Sequence, residues 1–557
     1  MEGTPSQLDL LSRFVCVGSE DGTYTVTTQK NKQQSHSKRK STSTILFSAE
    51  TEKPEVLSPF LASTEESLRA LDKLRKVFKR KWYISKDPLL SSLARIVRSS
   101  VPSNEKNHEN DAVRDQAYKL ALQVCETSKD LFTFVNLDKF YGKPKVDGKC
   151  KVGWGRGLRT MITEFYESKP ALKLAREVMH CKQALGFTHR DLIRQCHLHP
   201  SKKGRGRAEV MNYLVKDQQL VDSKMEMDEE AQAVMTFLQD VHQLKGNFGD
   251  NKDKVRVLVE KHGLTSQQVP PNCLQFKELY EGLLGHEPLN ELVQHIPKMA
   301  NLQMLNEDSP HVRRVTDRLT SADEAELQQL SPALVLKVEK KYSASKKKWK
   351  KNQDVVNALQ RVYQDSLRAT PKLLLGKKCL LALNFDPRHK DVRVDGFTEL
   401  KVIHVCALVT EIMLRTTDSL QVVHLTDEVE AVPVTSLMNH RKVTETLNKA
   451  ATKNKVLEAQ RHYGLEGCMS WASGKRFDNI LIVCEKKSKA PHGPSPVHTA
   501  IAEFRRNGNA DTKIAIVGLA DTAKMGMAND LNLLDVSGFD ETVPVLLQKF
   551  FQGYSDD

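Results

Sequence analysis

LLALNFDPRHKD, residues 380–391, carries a short apolar run into an Asn-Phe-Asp-Pro turn and leaves it through Arg388, His389 and Lys390. A run of this length that stops at a turn reads as a strand buried on both faces. Three segments of the same texture follow, SLQVVHLT, DNILIVCE and TKIAIVGLA. Between them lie the helical patterns FTELKVIHVCALVTEIML, KVTETLNKAATKNKVLEAQ and VHTAIAEFRR, and VPVLLQKFFQ follows the last strand. Strands alternating with helices predict an open, mainly parallel α/β sheet over residues 376–557, covered on both faces. Such sheets bind ligands beyond the carboxyl ends of their strands, which is where Asn384, Asp386 and Arg388 fall.

Upstream of Gly376 the pattern is different. Residues 63–375 read as many short amphipathic helices in series, beginning with STEESLRALDKLRKVF, whose Ser-x-x-Glu is a capping signature. With little strand signal and breaks at Gly, Pro, Asn or Ser, the series predicts stacked helical pairs of the HEAT or armadillo type. Residues 1–62 form an N-terminal segment in which RFVCVGSEDGTYTV predicts a short strand or hairpin, and a polar, basic insertion near residues 28–54 reads as disordered. SASKKKWKKNQD, shortly before the change of texture, reads as a surface loop in preference to an accessory phosphate contact. The fold class is thus multi-domain: all-α helical repeats followed by an α/β open sheet.

At 557 residues the chain is too long for one core. No stretch approaches the roughly 18 apolar residues of a membrane span, and the first residues lack a basic and then apolar secretory pattern. Ten cysteines without a C-x-x-C pair favour reduced thiols, hence cytoplasm or nucleus. The net charge of +14 is localised. Residues 376–557 hold 23 basic and 23 acidic side chains, so the excess lies upstream, and Lys143 to Lys216 holds 17 basic against 6 acidic. An excess so concentrated is the electrostatic footprint of a polyanion partner.

Within that stretch PALKLAREVMHCKQ places Leu172, Ala175 and Met179 on one helical stripe and Lys173, Arg176 and His180 on the adjoining one, with Lys182 just beyond. The preceding helix begins GWGRGLRTM, with Arg156 and Arg159 near Trp154. GFTHRDLIRQCHLHPSKKGRGR adds His189, Arg190 and Arg194, then Lys202, Lys203, Arg205 and Arg207 in a Gly/Arg loop. Cations for phosphates beside aromatic rings for unpaired bases are the means by which RNA is commonly held. The histidines and cysteines of this stretch lack zinc-finger spacing, and no flanking signature marks Cys196 or His189 as a nucleophile.

RFVCVGSEDGTYTV, CETSKDLFTFV (125–135), GWGRGLRTMITEFYES (153–168), KQALGFTHRDLIRQCHLHP (182–200) and GFDETVPVLLQKFF (538–551) resemble the Ro (SS-A) autoantigen family, in which a TROVE domain is joined to a von Willebrand A-type domain. The resemblance starts near residue 8. It implies a ring of HEAT-like repeats closed by the A-type domain, small non-coding Y RNAs on the outer surface, and 3′ ends of misfolded RNAs in a central hole. It also puts His189 at the family's RNA-contacting histidine.

Two departures stand out. The insertion near 28–54 has no counterpart in the family pattern. The family's magnesium loop reads Asp-x-Ser-x-Ser, whereas this chain has Asn384, Asp386 and Arg388, with Glu485 at a later aspartate position. Magnesium requires hard oxygen ligands. A guanidinium about 5 Å away would repel it by roughly 6–7 kcal/mol at an effective dielectric near 20. The expectation is therefore no metal and no cofactor, with Asp386 and Glu485 paired to Arg388 or Lys486. The expected protein is a non-catalytic RNA binder that takes small non-coding and misfolded RNA, with room for RNA-associated proteins, no membrane and no implied DNA specificity. A protein-interaction scaffold that has lost RNA binding is the alternative.

Overall fold

The computed structural model describes residues 5–26, 54–99, 108–142, 154–198, 204–216, 228–246, 251–344, 348–389, 391–425, 429–453, 464–486, 496–520 and 530–553. The strands are β1 (Thr23–Thr25), β2 (Gln183–Ala184), β3 (Phe187–Thr188), β4 (Leu374–Asn384), β5 (Thr417–Leu425), β6 (Val429–Ala431), β7 (Asn479–Cys484), β8 (Lys513–Gly518) and β9 (Leu533–Ser537). Two compact units divide the chain: residues 37–287, and residues 1–36 together with 288–557. The helices from Leu289 onward gather in the same compact unit as the sheet, upstream of the change of sequence texture at Gly376.

The unit of residues 37–287 is helical, apart from the β2–β3 hairpin. Some of its helices begin where short polar side chains satisfy otherwise orphaned backbone N–H groups. Ser63 accepts from Glu66 N at the start of Thr64–Lys79, and Thr127 with Asp130 forms a reciprocal capping box for Ser128–Tyr141. Ala70, Leu74 and Val77 recur at helical spacing and are buried, as the periodicity predicts. Asp87–Arg98 packs on both His108–Val124 and Ser128–Tyr141, the side-by-side stacking expected of helical repeats.

In the other unit β1, β9, β8, β7, β4, β5 and β6 lie side by side in that order. All pairings are parallel except β5 with β6. Leu380 to Leu383, and every residue of β7 and β9, are buried, which fits a sheet covered on both faces. The chain passes from β4 to β5 on one side and later places β7 on the other. The carboxyl end of β4 therefore sits at a reversal of strand order, where open α/β sheets bind ligands.

The N-terminal stretch differs from expectation. Residues Gln7–Val17 are helical, capped by Ser6 at one end and by left-handed Gly18 (φ 91°) at the other, so RFVCV is the last part of a helix, buried on all sides. Only Thr23–Thr25 is strand, and it extends the sheet by pairing with β9, a long-range contact that local pattern does not reveal. Trp349 of SASKKKWKKNQD is buried, stacks on Tyr342 with centroids 6.0 Å apart and donates from Nε1 to the Tyr342 carbonyl at 3.1 Å. That tryptophan therefore anchors its segment. Among the described residues no helix is long and apolar enough to cross a membrane. The insertion expected near 28–54 lies outside the described residues up to Lys53.

Candidate nucleic-acid interface

Four helices of the 37–287 unit carry most of the predicted cations: Arg156–Glu167, Ala171–His180, His189–Cys196 and Arg205–Val215. His189–Cys196 packs on both Arg156–Glu167 and Arg205–Val215, and Arg205–Val215 packs on Ala171–His180, so the four form a connected set. Gly206 permits the approach of Arg205–Val215 to Ala171–His180, and Gly157 that of Arg156–Glu167 to His108–Val124. A Cβ on Gly157 would lie 2.4 Å from Tyr118 Cε2, and one on Gly206 would lie 2.9 Å from Ala171 Cβ. The Tyr118 ring cannot easily yield, being set edge-on to Phe134 at 6.2 Å with its hydroxyl donating to Asp138 at 3.4 Å. Gly157→Ala is therefore expected to cost about 1–3 kcal/mol by overpacking, read as a lower denaturant midpoint. An unchanged midpoint would mean the contact is not tight.

The cations differ in exposure. Arg156, Lys173, His180 and Arg194 are exposed, and Arg159, Arg176, Lys182, Arg190, Arg205 and Arg207 are half-buried. Lys202 and Lys203 lie outside the described residues. Ala175 and Met179 of the predicted apolar stripe are buried, together with Leu174 and Val178, while Leu172 is half-buried. Arg176 lies over the Phe237 ring, 5.2 Å from its centroid, so it is partly committed to packing. Arg207 Nε donates to the Lys169 carbonyl at 2.9 Å. Arg156, Arg159, Lys173, Lys182 and Arg194 form no ion pair with any described residue. Lys182 is held below the usual ammonium range, first by burial and then by Lys245. Two ammonium groups opposing each other's charge mark an electropositive surface that an anion relieves.

His189 is not a surface contact. It is 1% exposed, its Nε2–H donates to the Cys181 carbonyl at 2.8 Å, and its Nδ1 accepts from the Tyr166 hydroxyl at 2.7 Å. Phe132 packs on the ring with centroids 4.9 Å apart. Burial pulls the imidazole down to about 4 despite the carbonyl bond, with a smaller push from Lys169. His189 is thus a neutral clamp. It joins the Arg156–Glu167 helix, the end of Ala171–His180 and the first residue of His189–Cys196, where Thr188 and Asp191 form a capping box.

The residue that sequence reading missed is Lys139, on the Ser128–Tyr141 helix. Its ammonium lies 4.6 Å from the Trp154 ring centroid and 4.4 Å from that of Phe187, both half-buried rings. Lys139 is far from Trp154 and Phe187 along the chain, and only the packing of three elements unites them. Burial lowers its pKa, with Asp191 and Asp138 acting in the other direction. A cation between two aromatic faces is a ready platform for a base and its phosphate.

At the end of β4 the Asn384 carbonyl accepts from Glu485 N at 2.9 Å, joining β4 to the end of β7. Asp386 is held by Arg388, whose Nη2 lies 2.6 Å from Oδ2 and whose backbone N–H donates to Oδ1 at 2.9 Å. Arg388 keeps the Asp386 carboxyl below the usual range against a smaller effect of burial. Glu485 pairs with His389 Nδ1 at 2.9 Å, and not with Lys486 as the sequence suggested. The two carboxylates here are thus engaged by protein side chains, Arg388 and His389. Among the described residues no group of three or more His, Cys, Asp or Glu side chains is arranged to hold a metal ion. These residues do not fit a magnesium ion.

Stacked helices that carry a basic, aromatic-flanked surface, joined in sequence to a mainly parallel sheet whose strand order reverses at β4, define a helical-repeat protein with an A-type α/β domain. Residues 12–379 match the TROVE domain and residues 378–551 match the Ro60 vWA domain, so the chain belongs to the Ro family of TROVE-domain proteins. It is 25% identical over 491 residues to the RNA-binding protein RO60 of Caenorhabditis elegans, covering 79% of this chain and 73% of that one. It is 22% identical over 478 residues to the RNA-binding protein RO60 of Deinococcus radiodurans, covering 84% and 82% respectively. The crystal structure of the Deinococcus radiodurans RO (RSR) protein matches with a TM-score of 0.78 at 20% identity over 99% of this chain and 100% of that one, a likeness of fold.

Proposed function

We propose that this chain is the non-catalytic RNA-binding component of a ribonucleoprotein, holding a small structured non-coding RNA of the Y class on the basic helices between Trp154 and Lys216. The observation that carries this reading is the set of exposed Arg156, Lys173 and Arg194 on connected helices, without described acidic partners. The relatives' names, RNA-binding protein RO60, support the same reading. The cations neutralise phosphates, whose condensed counterions are released to solvent, and splayed bases stack near Lys139 and Trp154. The same platform suits the unpaired ends of misfolded RNAs, the second RNA class in this proposal. The test is affinity for a small structured RNA against salt. Six phosphate contacts predict a loss of about 300- to 2,000-fold between about 50 and 200 mM salt. Affinity flat with salt would favour a protein-interaction scaffold instead.

We propose further that this function needs no metal at the end of β4, because Asp386 is paired with the Arg388 guanidinium and Glu485 is hydrogen-bonded to His389. Magnesium at about 10 mM is expected to leave both the melting midpoint and RNA-free calorimetry unchanged relative to chelator. A ligand that binds only the folded chain raises its stability by mass action. A magnesium-dependent rise that disappears in Asp386→Ala would contradict the proposal.

A further inference from the structure

The helices Pro332–Ala344, Gln353–Ala369, Val402–Thr416 and His440–Lys453, all within the sheet-bearing unit, enclose a cavity of about 580 Å³ that the RNA reading does not use. Its volume falls in the range of small-molecule sites, roughly 300–1,000 Å³, and far exceeds that of a single ion. Tyr363 and His440 of one wall are tied to Glu411, which lies behind them. The Tyr363 hydroxyl donates to Glu411 Oε2 at 2.7 Å, and His440 Nδ1–H donates to the same oxygen at 2.7 Å. Tyr363 and Glu411 are 4% and 2% exposed. Glu411 Oε1 and His440 Nε2 are buried and have no partner among the described residues. Such unmet groups mark sites built for more than packing.

His404 forms another wall. Its Nδ1 accepts from the Lys401 backbone N–H at 3.3 Å, so the neutral ring keeps Nε2–H as a spare donor. Burial brings its pKa down to about 3, and Lys340, His440, Lys401 and Arg393 each push in the same direction. Glu339 and Glu445 also line the cavity. Lys340, Arg361 and Arg441 line the cavity, each with one carboxylate neighbour, at 3.0, 3.8 and 3.0 Å respectively. An ammonium has three donors and a guanidinium five, so donors remain for a further oxyanion. Leu336 and the edge-on pair Tyr363 and His440, centroids 5.5 Å apart, give apolar and aromatic surface for a ring.

We propose that this cavity binds a phosphorylated small molecule of nucleoside-monophosphate size. Its phosphate is held by Lys340, Arg361 and Arg441, and its ring system lies against Tyr363 and His404. Gln360 and Gln364 supply amides that can both donate to and accept from a base edge. The site is separate in sequence and unit from the RNA-holding helices, so the two can be tested apart.

The test uses the full-length chain. Calorimetric titration with AMP and with UMP is expected to show saturable binding of at least one, with Kd between about 1 µM and 1 mM. Adenosine and inorganic phosphate should each bind at least tenfold more weakly, since each keeps only half of the contacts. Arg361→Glu with Arg441→Glu, at two well-exposed positions, should weaken the nucleotide at least tenfold and leave RNA affinity unchanged. Thr444→Trp, which fills the cavity without altering charge, should abolish binding. Bound phosphate should also raise the His404 pKa, seen as a shift in its ring-proton titration. Absence of saturable binding by both nucleotides up to about 10 mM would overturn the proposal, as would binding unaffected by both the double variant and Thr444→Trp.

Discussion

Lys173→Glu combined with Arg194→Glu is expected to weaken binding of a small structured RNA by roughly 10- to 100-fold at about 0.1 M salt, without lowering stability. Both side chains are exposed, and neither forms an ion pair with a described residue, so reversal breaks nothing in the folded chain. Each lost phosphate contact should reduce the slope of log K against log salt by about 0.7 to 0.9. The double variant should therefore show a shallower salt dependence as well as weaker binding. Weakening with an unchanged slope would mean that the two residues act on the RNA other than through phosphates. Unchanged affinity and slope would remove these helices from the interface.

His189→Ser is expected to have the largest effect on stability, about 3–5 kcal/mol. The change leaves the buried Tyr166 hydroxyl and Cys181 carbonyl without partners, at about 1–3 kcal/mol each, and opens space beside Phe132. A pH signature accompanies it. Folding depresses the pKa of this imidazole from 6.5 to about 4. The unfolded chain therefore takes up a proton as pH falls below about 6.5, while the folded chain resists until about 4. The stability tied to His189 is complete above about pH 6.5 and declines as pH falls toward 4, by up to about 3 kcal/mol. The stability difference between wild type and variant should shrink over that window. A difference independent of pH, or a variant as stable as wild type, would contradict the clamp. Any loss of RNA affinity in this variant is expected to arise through displaced Arg190 and Arg194, which share the helix that His189 begins.

What the sequence showed and what it hid follow from the range of the interactions. Leu380 to Leu383 read correctly as a buried strand because continuous apolar character is a local property. The capped start at Ser63 was equally local. RFVCV is ambiguous because five residues with four apolar positions suit a short strand as well as the buried end of a helix, and only the Ser6 and Gly18 caps decide. The pairing of β1 with β9 spans most of the chain, and no local pattern encodes it. The same limit explains the site. Lysines and arginines placed outward by helical spacing were legible, whereas Lys139 between Trp154 and Phe187 depends on three segments meeting. His189 was given an outer role by resemblance, and its two buried hydrogen bonds assign it an inner one. The substitutions at Asn384 and Arg388 were readable as charge chemistry, but the partnership of His389 with Glu485 was not.

The most direct test of RNA held on the basic helices is photo-crosslinking of a 4-thiouridine-labelled small structured RNA to the full-length chain, followed by peptide mapping. The predicted crosslinks concentrate between Trp154 and Lys216, with Trp154 and Phe187 peptides prominent, and fade as salt rises. Crosslinks confined to residues 376–557, or spread evenly along the chain at every salt concentration, would contradict it.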